Sequence, residues 1–213
     1  MKFDPDKHHR RSIRLKGYDY SEPRTYFITI CIANRHQPLF GKIVNDDMIL
    51  NEYGTIAHDE WIKTGALRPH VALDEFVVMP NHVHGIIRLT HRRGTARRAP
   101  TDDAPGTAST PLRRAPAENH EQFGKPTVGT LPTIVRSYKS AVTKRINELR
   151  NTPGTPVWQR NYYEHIIRNE DILKAIRRYI QNNPLSWVYD QNNPRASRLS
   201  HNVAHHALTQ LEA

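Results

Sequence analysis

The sequence predicts an α+β fold, built from an antiparallel sheet with helices packed on one of its faces. Runs rich in β-branched and aromatic residues alternate with helical segments in the order β, α, β, β, α, β, α. Two of the β-type runs are separated only by Pro80-Asn81, which is typical of a hairpin and therefore of antiparallel pairing. With 213 residues, the chain is long enough for one domain with a substantial core.

The first half of the chain supplies a strand, a helix and a hairpin. Residues 25–34, TYFITICIAN, predict a buried strand because β-branched and aromatic side chains dominate them. Residues 41–67 have apolar side chains near a helical spacing, although Gly54 weakens that pattern. These side chains are Ile49, Tyr53, Ile56, Trp61 and Ile62. Residues 73–80 and 82–90 are the two strands of the predicted hairpin.

The second half supplies a helix, a strand and a last helix. Residues 131–150 predict an amphipathic helix with a basic outer face. Its apolar stripe is Leu131, Ile134, Val135, Tyr138, Val142, Ile146 and Leu149. Residues 157–169 predict a strand, and Asn169 caps a helix over 170–183 that Pro184 ends. Together, the elements predict a sandwich of ferredoxin-like type.

A segment of different composition interrupts this pattern. Residues from about 90 to 130 are dense in Ala, Pro, Thr, Gly and Arg, and Phe123 is their only Phe, Tyr or Trp. Such a segment buries too little apolar surface to offset the entropy lost on ordering. We therefore predict one domain over residues 1–190, interrupted by a long flexible insert, and a polar C-terminal tail over 191–213.

Charge and cysteine content narrow the class of protein. The chain has 31 Lys and Arg against 21 Asp and Glu, a formal net charge of +10, which favours a polyanionic partner. The single cysteine, Cys31, excludes an intramolecular disulfide and fits a reducing compartment. No apolar stretch approaches the ~20 residues that a membrane-spanning helix needs. Because the charged N-terminus also lacks the apolar core of a secretory signal, we expect a cytoplasmic protein with no membrane partner.

The sharpest local motif is the pair of histidines at His82 and His84. Alternate residues of a strand face the same side, so the two imidazoles project together while Val83 faces the other side. Two imidazoles on rigid backbone are suited to bind one divalent metal ion. In a chain with 13 histidines the same spacing also arises by chance, and a metal site needs a third ligand.

The last predicted helix offers both a third ligand and a nucleophile. Tyr179 and Asn183 are four residues apart and so lie on one helical face. A tyrosine hydroxyl can attack a phosphate, and an amide oxygen one turn away can complete a metal shell. The alternative is that Tyr179 belongs to the core and that Asn183 is a C-terminal cap before Pro184. Tyr162 and Tyr163 could also attack phosphate, but no amide follows either of them one turn later.

Several ordered motifs together resemble a known family. The segments EFVVMPNHVHGII, WQRNYYEHIIRNE and AIRRYIQNNPLSW, with the basic helix between the first two, resemble the HUH endonuclease superfamily. Within it, they resemble the single-tyrosine insertion-sequence transposases and the REP-associated tyrosine transposases. The opening RRSIRLKGYDYSEPRTYFITICIANRHQPLFG is also similar to the start of the second group. The resemblance covers nearly everything except the insert, which departs from the family pattern, and the tail.

This resemblance implies a site, an activity and a partner. It implies that His82, His84 and Asn183 bind Mg²⁺ or Mn²⁺ and that Tyr179 is the nucleophile. The implied activity is that of a metal-dependent single-stranded DNA endonuclease and strand transferase, which cleaves and rejoins DNA through a 5′-phosphotyrosine. The implied partner is single-stranded or hairpin DNA, including palindromic repeats. Relatives act as homodimers or as monomers, and we favour a monomer.

Two other functions remain open at the level of sequence. One is a domesticated protein that binds hairpin DNA without turnover, and the other is a metal-dependent hydrolase with no covalent intermediate. For each function that involves DNA, basic side chains near the N-terminus and on the long helix are candidates for phosphate contact. They are Arg10, Arg11, Arg14, Lys16, Arg136, Lys139, Lys144 and Arg145.

Overall fold

The structure, a computed structural model, describes Tyr20 and residues 22–91 and 128–196. Residues 92–127, which are nearly all of the predicted insert, lie outside the described residues. The division into a domain over 1–190 and a tail from residue 191 stays a prediction. Within the described ranges, none of the helices combines the length and the apolar composition that crossing a membrane requires.

The described residues form a four-stranded antiparallel sheet, a separate two-stranded hairpin and three α-helices. In chain order the elements are β1 (Thr25–Cys31), β2 (Gly41–Val44), β3 (Asp47–Leu50), α1 (Glu52–Ala66), β4 (Val71–Met79), β5 (His82–Leu89), α2 (Leu131–Leu149), β6 (Tyr163–Ile167) and α3 (Glu170–Gln181). The order in the large sheet is β4-β5-β1-β6, and every neighbouring pair is antiparallel. The predicted α+β class and its antiparallel sheet are therefore confirmed.

Helices cover both faces of this sheet, so the prediction that they pack on one face is wrong for α3. Ile28 and Val83 belong to the large core that includes the buried residues of α1 and α2. Phe27 and Ile86 point the other way and pack against the apolar side of α3. The physical reason lies in β1 and β5, where residues 26–30 and 82–87 are buried without alternation, as in strands covered on both sides.

The helix predicted over 41–67 is wrong in its first part: residues 41–50 form the β2–β3 hairpin, and the helix begins at Glu52. Asn45 and Asp46 both have positive φ, 51° and 65°, which is the backbone of a tight turn between β2 and β3. The helix α1 begins only after Asn51, whose side chain caps it by accepting from the Gly54 amide. Gly54 is required there because a Cβ would lie 2.1 Å from the Phe40 carbonyl oxygen.

The remaining elements follow the sequence pattern more closely. The predicted hairpin is β4 and β5, and α2 spans nearly the whole predicted stripe. The cap of α3 is Asn169, which accepts from the Ile172 amide as expected. The strand β6 is shorter than the predicted strand over 157–169, and Trp158 makes only an isolated bridge to Ile32.

Close packing under α1 makes Gly85 a sensitive position. A Cβ on Gly85 would lie 2.3 Å from the Trp61 ring, which is itself buried. We predict that Gly85→Ala lowers the free energy of unfolding by about 1–3 kcal/mol, because overpacking forces the ring or the strand to move. Urea denaturation measures this, and Trp61→Phe in the same chain should recover part of the loss because it removes ring atoms at the contact. Equal stability of Gly85→Ala and the unchanged protein would contradict the packing described here.

Candidate active site

Two buried histidines on the central strand β5 form the centre of the site. His82 and His84 are 0% and 1% exposed, and both face the side of the sheet that α3 covers. Their Nε2 atoms lie 2.9 Å apart. The strand pairs with β4 on one side and β1 on the other, so backbone hydrogen bonds hold the two side chains at this spacing.

The hydrogen bonds of Asn81 determine the proton position on His82. The Asn81 Nδ2 donates to two carbonyl oxygens, those of Arg35 and Asn192, each at 2.7 Å. Its Oδ1 must therefore face His82 Nδ1, 2.9 Å away, and this ring nitrogen carries the proton and donates. The His82 Nε2 then carries no proton, and its lone pair is directed at His84.

The tautomer of His84 is set by a partner that can act in either direction. Its Nδ1 lies 2.8 Å from the hydroxyl Oγ1 of Thr29 on β1. A hydroxyl can donate to this nitrogen or accept from it, so rotation of one O–H bond suits both tautomers. When Thr29 accepts a hydrogen bond from His84 Nδ1, the Nε2 of His84 also carries an unprotonated lone pair. The lone pairs of both Nε2 atoms are then available to one cation.

Burial keeps both rings neutral. It lowers the pKa of His82 to about 3, with a further contribution from the charge of Arg35. It also lowers the pKa of His84 well below the ordinary value, where His82 adds to the effect and Asp190 opposes it. Neutral imidazole is the form that binds metals, so no proton has to leave at neutral pH.

The hydroxyl of Tyr179 reaches this pair from α3. It lies 3.2 Å from His84 Nε2. Phe27 on β1 contacts both rings, stacking on His84 with centroids 5.4 Å apart and meeting Tyr179 edge-on at 6.0 Å. Burial, followed by the charge of Asp190, raises the pKa of Tyr179, so the phenol is protonated in this structure.

Asn183 and Asp190 complete the buried cluster. Asn183 is 1% exposed, and its Nδ2 lies 3.2 Å from Asp190 Oδ2. This bond directs the Asn183 Oδ1 away from the carboxylate, where it is buried without a hydrogen-bond partner among the described residues. An oxygen of Asp190 and one nitrogen from each of the two histidines lie within 4.8 Å of one another.

Asp190 is a site residue that the sequence reasoning missed. It follows a short 3-10 turn over Trp187–Tyr189 rather than a helix or strand, and no motif spacing connects it to His82 or Asn183. One signal was present, because Asp190 is the single acidic residue between Asp171 and Glu212.

The chain segment after α3 closes the pocket. The Trp187 ring lies over His82 with centroids 6.0 Å apart and planes 32° apart. Arg35 donates to the backbone of Gln191 and to the side chain of Asn192, at 3.0 and 3.1 Å. Since Asn192 is itself buried, this segment separates the histidines from solvent.

The residues of the pocket fit a divalent cation. Two nitrogens at right angles around a metal, each bonded at about 2.1 Å, are about 3.0 Å apart, close to the spacing of the two Nε2 atoms. The unpartnered Oδ1 of Asn183 and the carboxylate of Asp190 are oxygen donors of the kind that Mg²⁺ and Mn²⁺ prefer. Such a cation would take the place of the proton that His84 Nε2 can otherwise donate to His82 Nε2 across 2.9 Å.

The structure describes four of the eight basic residues that are predicted to contact phosphate. Four of them, Arg10, Arg11, Arg14 and Lys16, lie outside the described residues. The other four lie on α2, which packs on the face of the sheet opposite the histidines. The helix is therefore not beside the pocket, although Lys139 reaches the end of β1 and interacts electrostatically with Cys31, which pairs with His82.

The four basic residues on α2 differ in their surroundings. Arg136 is exposed, and Lys144 is exposed with its Nζ 3.8 Å from a carboxylate one turn later. The Lys139 Nζ donates to the three carbonyl oxygens of residues 159–161, and burial lowers its pKa to about 8. Arg145 lies 2.8 Å from the carboxylate of Glu60 on α1. Lys139 and Arg145 thus have partners inside the fold, and phosphate contact by any of the four stays a prediction.

The chain is similar to one curated protein sequence and to solved structures. No protein-family model matches the chain. A solved structure of a REP-associated tyrosine transposase bound to a REP hairpin shares 20% identity, over 84% of this chain and 73% of that one, with a TM-score of 0.44. A protein of Haemophilus influenzae (strain ATCC 51907 / DSM 11121 / KW20 / Rd), described as uncharacterized, is 41% identical over 190 residues, which are 89% of this chain and 96% of that protein. The level and extent of this identity show that the chain belongs to the same family as the Haemophilus influenzae protein.

Proposed function

We propose that the chain is a metal-dependent single-stranded DNA endonuclease and strand transferase of the tyrosine transposase type. The observation that carries the proposal is the position of the Tyr179 hydroxyl, 3.2 Å from His84 Nε2. A nucleophile candidate, two imidazoles and an unpartnered amide oxygen from separate parts of the chain thus meet in one closed pocket. The motif resemblance supports the same assignment.

The metal ligands we propose are His82, His84 and Asn183, with Asp190 beside them. The ion would be Mg²⁺ or Mn²⁺, since two of the four donor groups are oxygens. When bound, such an ion polarises a phosphodiester and stabilises negative charge near the phenol. This matters here because burial raises the pKa of Tyr179 and makes the free hydroxyl a poor nucleophile.

The proposed reaction exchanges one phosphodiester for another. The Tyr179 oxygen would bond to phosphorus as the bond from phosphorus to O3′ breaks, leaving a 5′-phosphotyrosine and a free 3′-hydroxyl. The phenol proton is lost and the departing O3′ takes one up, so the protons balance. Attack by another 3′-hydroxyl reverses the step and joins two strands. Phe27 would hold the phenol ring in line through its edge-on contact.

For the partner we propose single-stranded DNA next to a hairpin. The net charge of +10 suits a polyanion, and the motif resemblance supports a hairpin or palindromic repeat. We also propose that the protein acts in the cytoplasm, which its single cysteine fits, and as a monomer in which Tyr179 serves the histidine pair of its own chain. Since α2 lies behind the sheet, its exposed Arg136 would touch the duplex stem rather than the strand that is cut.

One observation favours a second candidate, a hairpin-binding protein without turnover. His82, His84, Asn183 and Asp190 are all less than one-tenth exposed. DNA could reach them only if the segment over residues 187–192 moved away. A protein that keeps this segment closed would bind hairpins and never cleave them.

Metal binding tests the ligand set. We predict that the purified protein binds Mn²⁺ in a calorimetric titration and that Asn183→Ala weakens binding about 10- to 100-fold, because one oxygen ligand is lost. Asn182→Ala is the matched control, since this neighbouring amide is exposed and faces solvent. If Asn183→Ala and Asn182→Ala bind Mn²⁺ equally well, Asn183 is not a ligand.

Covalent capture tests the nucleophile. With Mn²⁺ and labelled single-stranded hairpin DNA, the protein should form an adduct that survives denaturant, and Tyr179→Phe should abolish it because the attacking oxygen is gone. Tyr163→Phe is the control, since it removes a tyrosine hydroxyl from a half-exposed residue of β6. Cleavage without an adduct would indicate a hydrolase, and binding alone would indicate the second candidate. An adduct that persists in Tyr179→Phe and disappears in Tyr163→Phe would transfer the role to Tyr163.

Binding at several salt concentrations tests the contact on α2. We expect Arg136→Gln to weaken hairpin binding without changing its sequence preference and to reduce the slope of log affinity against log salt by about 1. Lys42→Gln on the β2–β3 hairpin removes one exposed charge elsewhere and should change neither quantity. An unchanged slope for Arg136→Gln would remove α2 from the DNA interface.

A further inference from the structure

The edge strand β4 is irregular at the point where α3 crosses it. Its pairing with β5 runs regularly from Val71 to Leu73 and again from Phe76 onward, with a register shift between them. Asp74 and Glu75 occupy the interruption, which is a β-bulge. A bulge redirects side chains that a regular strand would send to opposite faces. Both carboxylates here point at α3.

Two side chains of α3 hold these carboxylates. The guanidinium of Arg177 makes a two-point contact with Asp74, from Nε to Oδ1 at 2.8 Å and from Nη2 to Oδ2 at 2.7 Å. One turn later, Gln181 Nε2 donates to Glu75 Oε1 at 2.8 Å. The Arg177 fork is the dominant cause that lowers the pKa of Asp74, with a smaller contribution from Arg88.

The contacts of Arg177 and Gln181 with β4 lie where they oppose rotation of α3 about its own axis. Arg177 and Gln181 lie on one flank of the buried stripe Leu173, Ile176 and Ile180, and Tyr179 and Asn183 lie on the other. The apolar stripe attaches α3 to the sheet, but such contacts have no preferred direction and allow the helix to roll. The two polar contacts on β4 resist that roll.

A small roll is enough to separate the reacting groups. For a hydroxyl about 8–10 Å from the helix axis, a rotation of about 10° is a displacement of about 1.5 Å, on the scale of errors that cost about 100-fold in rate. The contact between Tyr179 and His84 Nε2 is 3.2 Å long and would be lost by such a movement.

We infer that Asp74 and Glu75 are positioning residues that fix the roll of α3 and so place the Tyr179 hydroxyl at the histidine pair. The inference rests on the proposed function in taking Tyr179 as the nucleophile. Neither carboxylate touches the reacting atoms, and both act through the helix. The contact between Arg177 and Asp74 suits this role because a guanidinium that bonds both oxygens of one carboxylate does so in one orientation.

The test separates the rate of adduct formation from DNA binding. With Mn²⁺ and saturating hairpin DNA, Asp74→Asn and Arg177→Gln should each lower the rate about 10- to 100-fold while hairpin affinity stays the same. The double variant should be no slower than the slower single variant, because both remove one contact. Lys174→Gln, which removes an exposed charge from the same helix, should keep the full rate.

The contact between Glu75 and Gln181 allows a variant that should restore the rate of adduct formation, a result that global unfolding cannot produce. Gln181→Glu places two carboxylates together and should lower the rate of adduct formation. Glu75→Gln combined with Gln181→Glu exchanges the donor and the acceptor and should restore that rate. Full rates in Asp74→Asn and Gln181→Glu, or failure of the exchange to restore the rate, would overturn the inference. Absence of an adduct in the unchanged protein would instead overturn the proposed function.

Discussion

The close approach of two imidazole nitrogens, the Nε2 atoms of His82 and His84 at 2.9 Å, is the contact on which the rest of the site depends. Asn81 forces a lone pair onto His82 Nε2, and Thr29 allows the same state on His84. In one tautomer His84 Nε2 donates to the lone pair of His82 Nε2, and in the other tautomer two lone pairs face each other, which is favourable only with a cation between them. The arrangement persists because β5 is a central strand, tied on both sides by backbone hydrogen bonds.

The same closure that strengthens electrostatics in the pocket also opposes the reaction. Burial raises the pKa of Tyr179, and the segment bearing Trp187 covers His82. A bound cation would compensate for the first effect, and displacement of that segment by DNA would remove the second. The docking of α3 on the bulge of β4 keeps the phenol in place meanwhile, through the fork between Arg177 and Asp74.

Local periodicity predicted the parts of the site that lie within one element. The alternation of a strand brings His82 and His84 to one face, and helical spacing brings Tyr179 and Asn183 to one flank. Contacts between distant segments were not predictable in this way. Asp190 lies beyond any regular element, and the face that α3 covers depends on how the whole chain packs. The β2–β3 hairpin was missed because Ile49 also fits a helical spacing with Tyr53 and Ile56, which lie in α1.

Anomalous diffraction from crystals of the protein soaked in Mn²⁺ would locate the bound cation. We expect one strong peak within bonding distance of the Nε2 atoms of His82 and His84 and of Asn183 Oδ1. The Tyr179 hydroxyl should face that peak. A pocket without a peak at saturating Mn²⁺, or a peak held by other residues while the two Nε2 atoms stay in contact, would contradict this expectation.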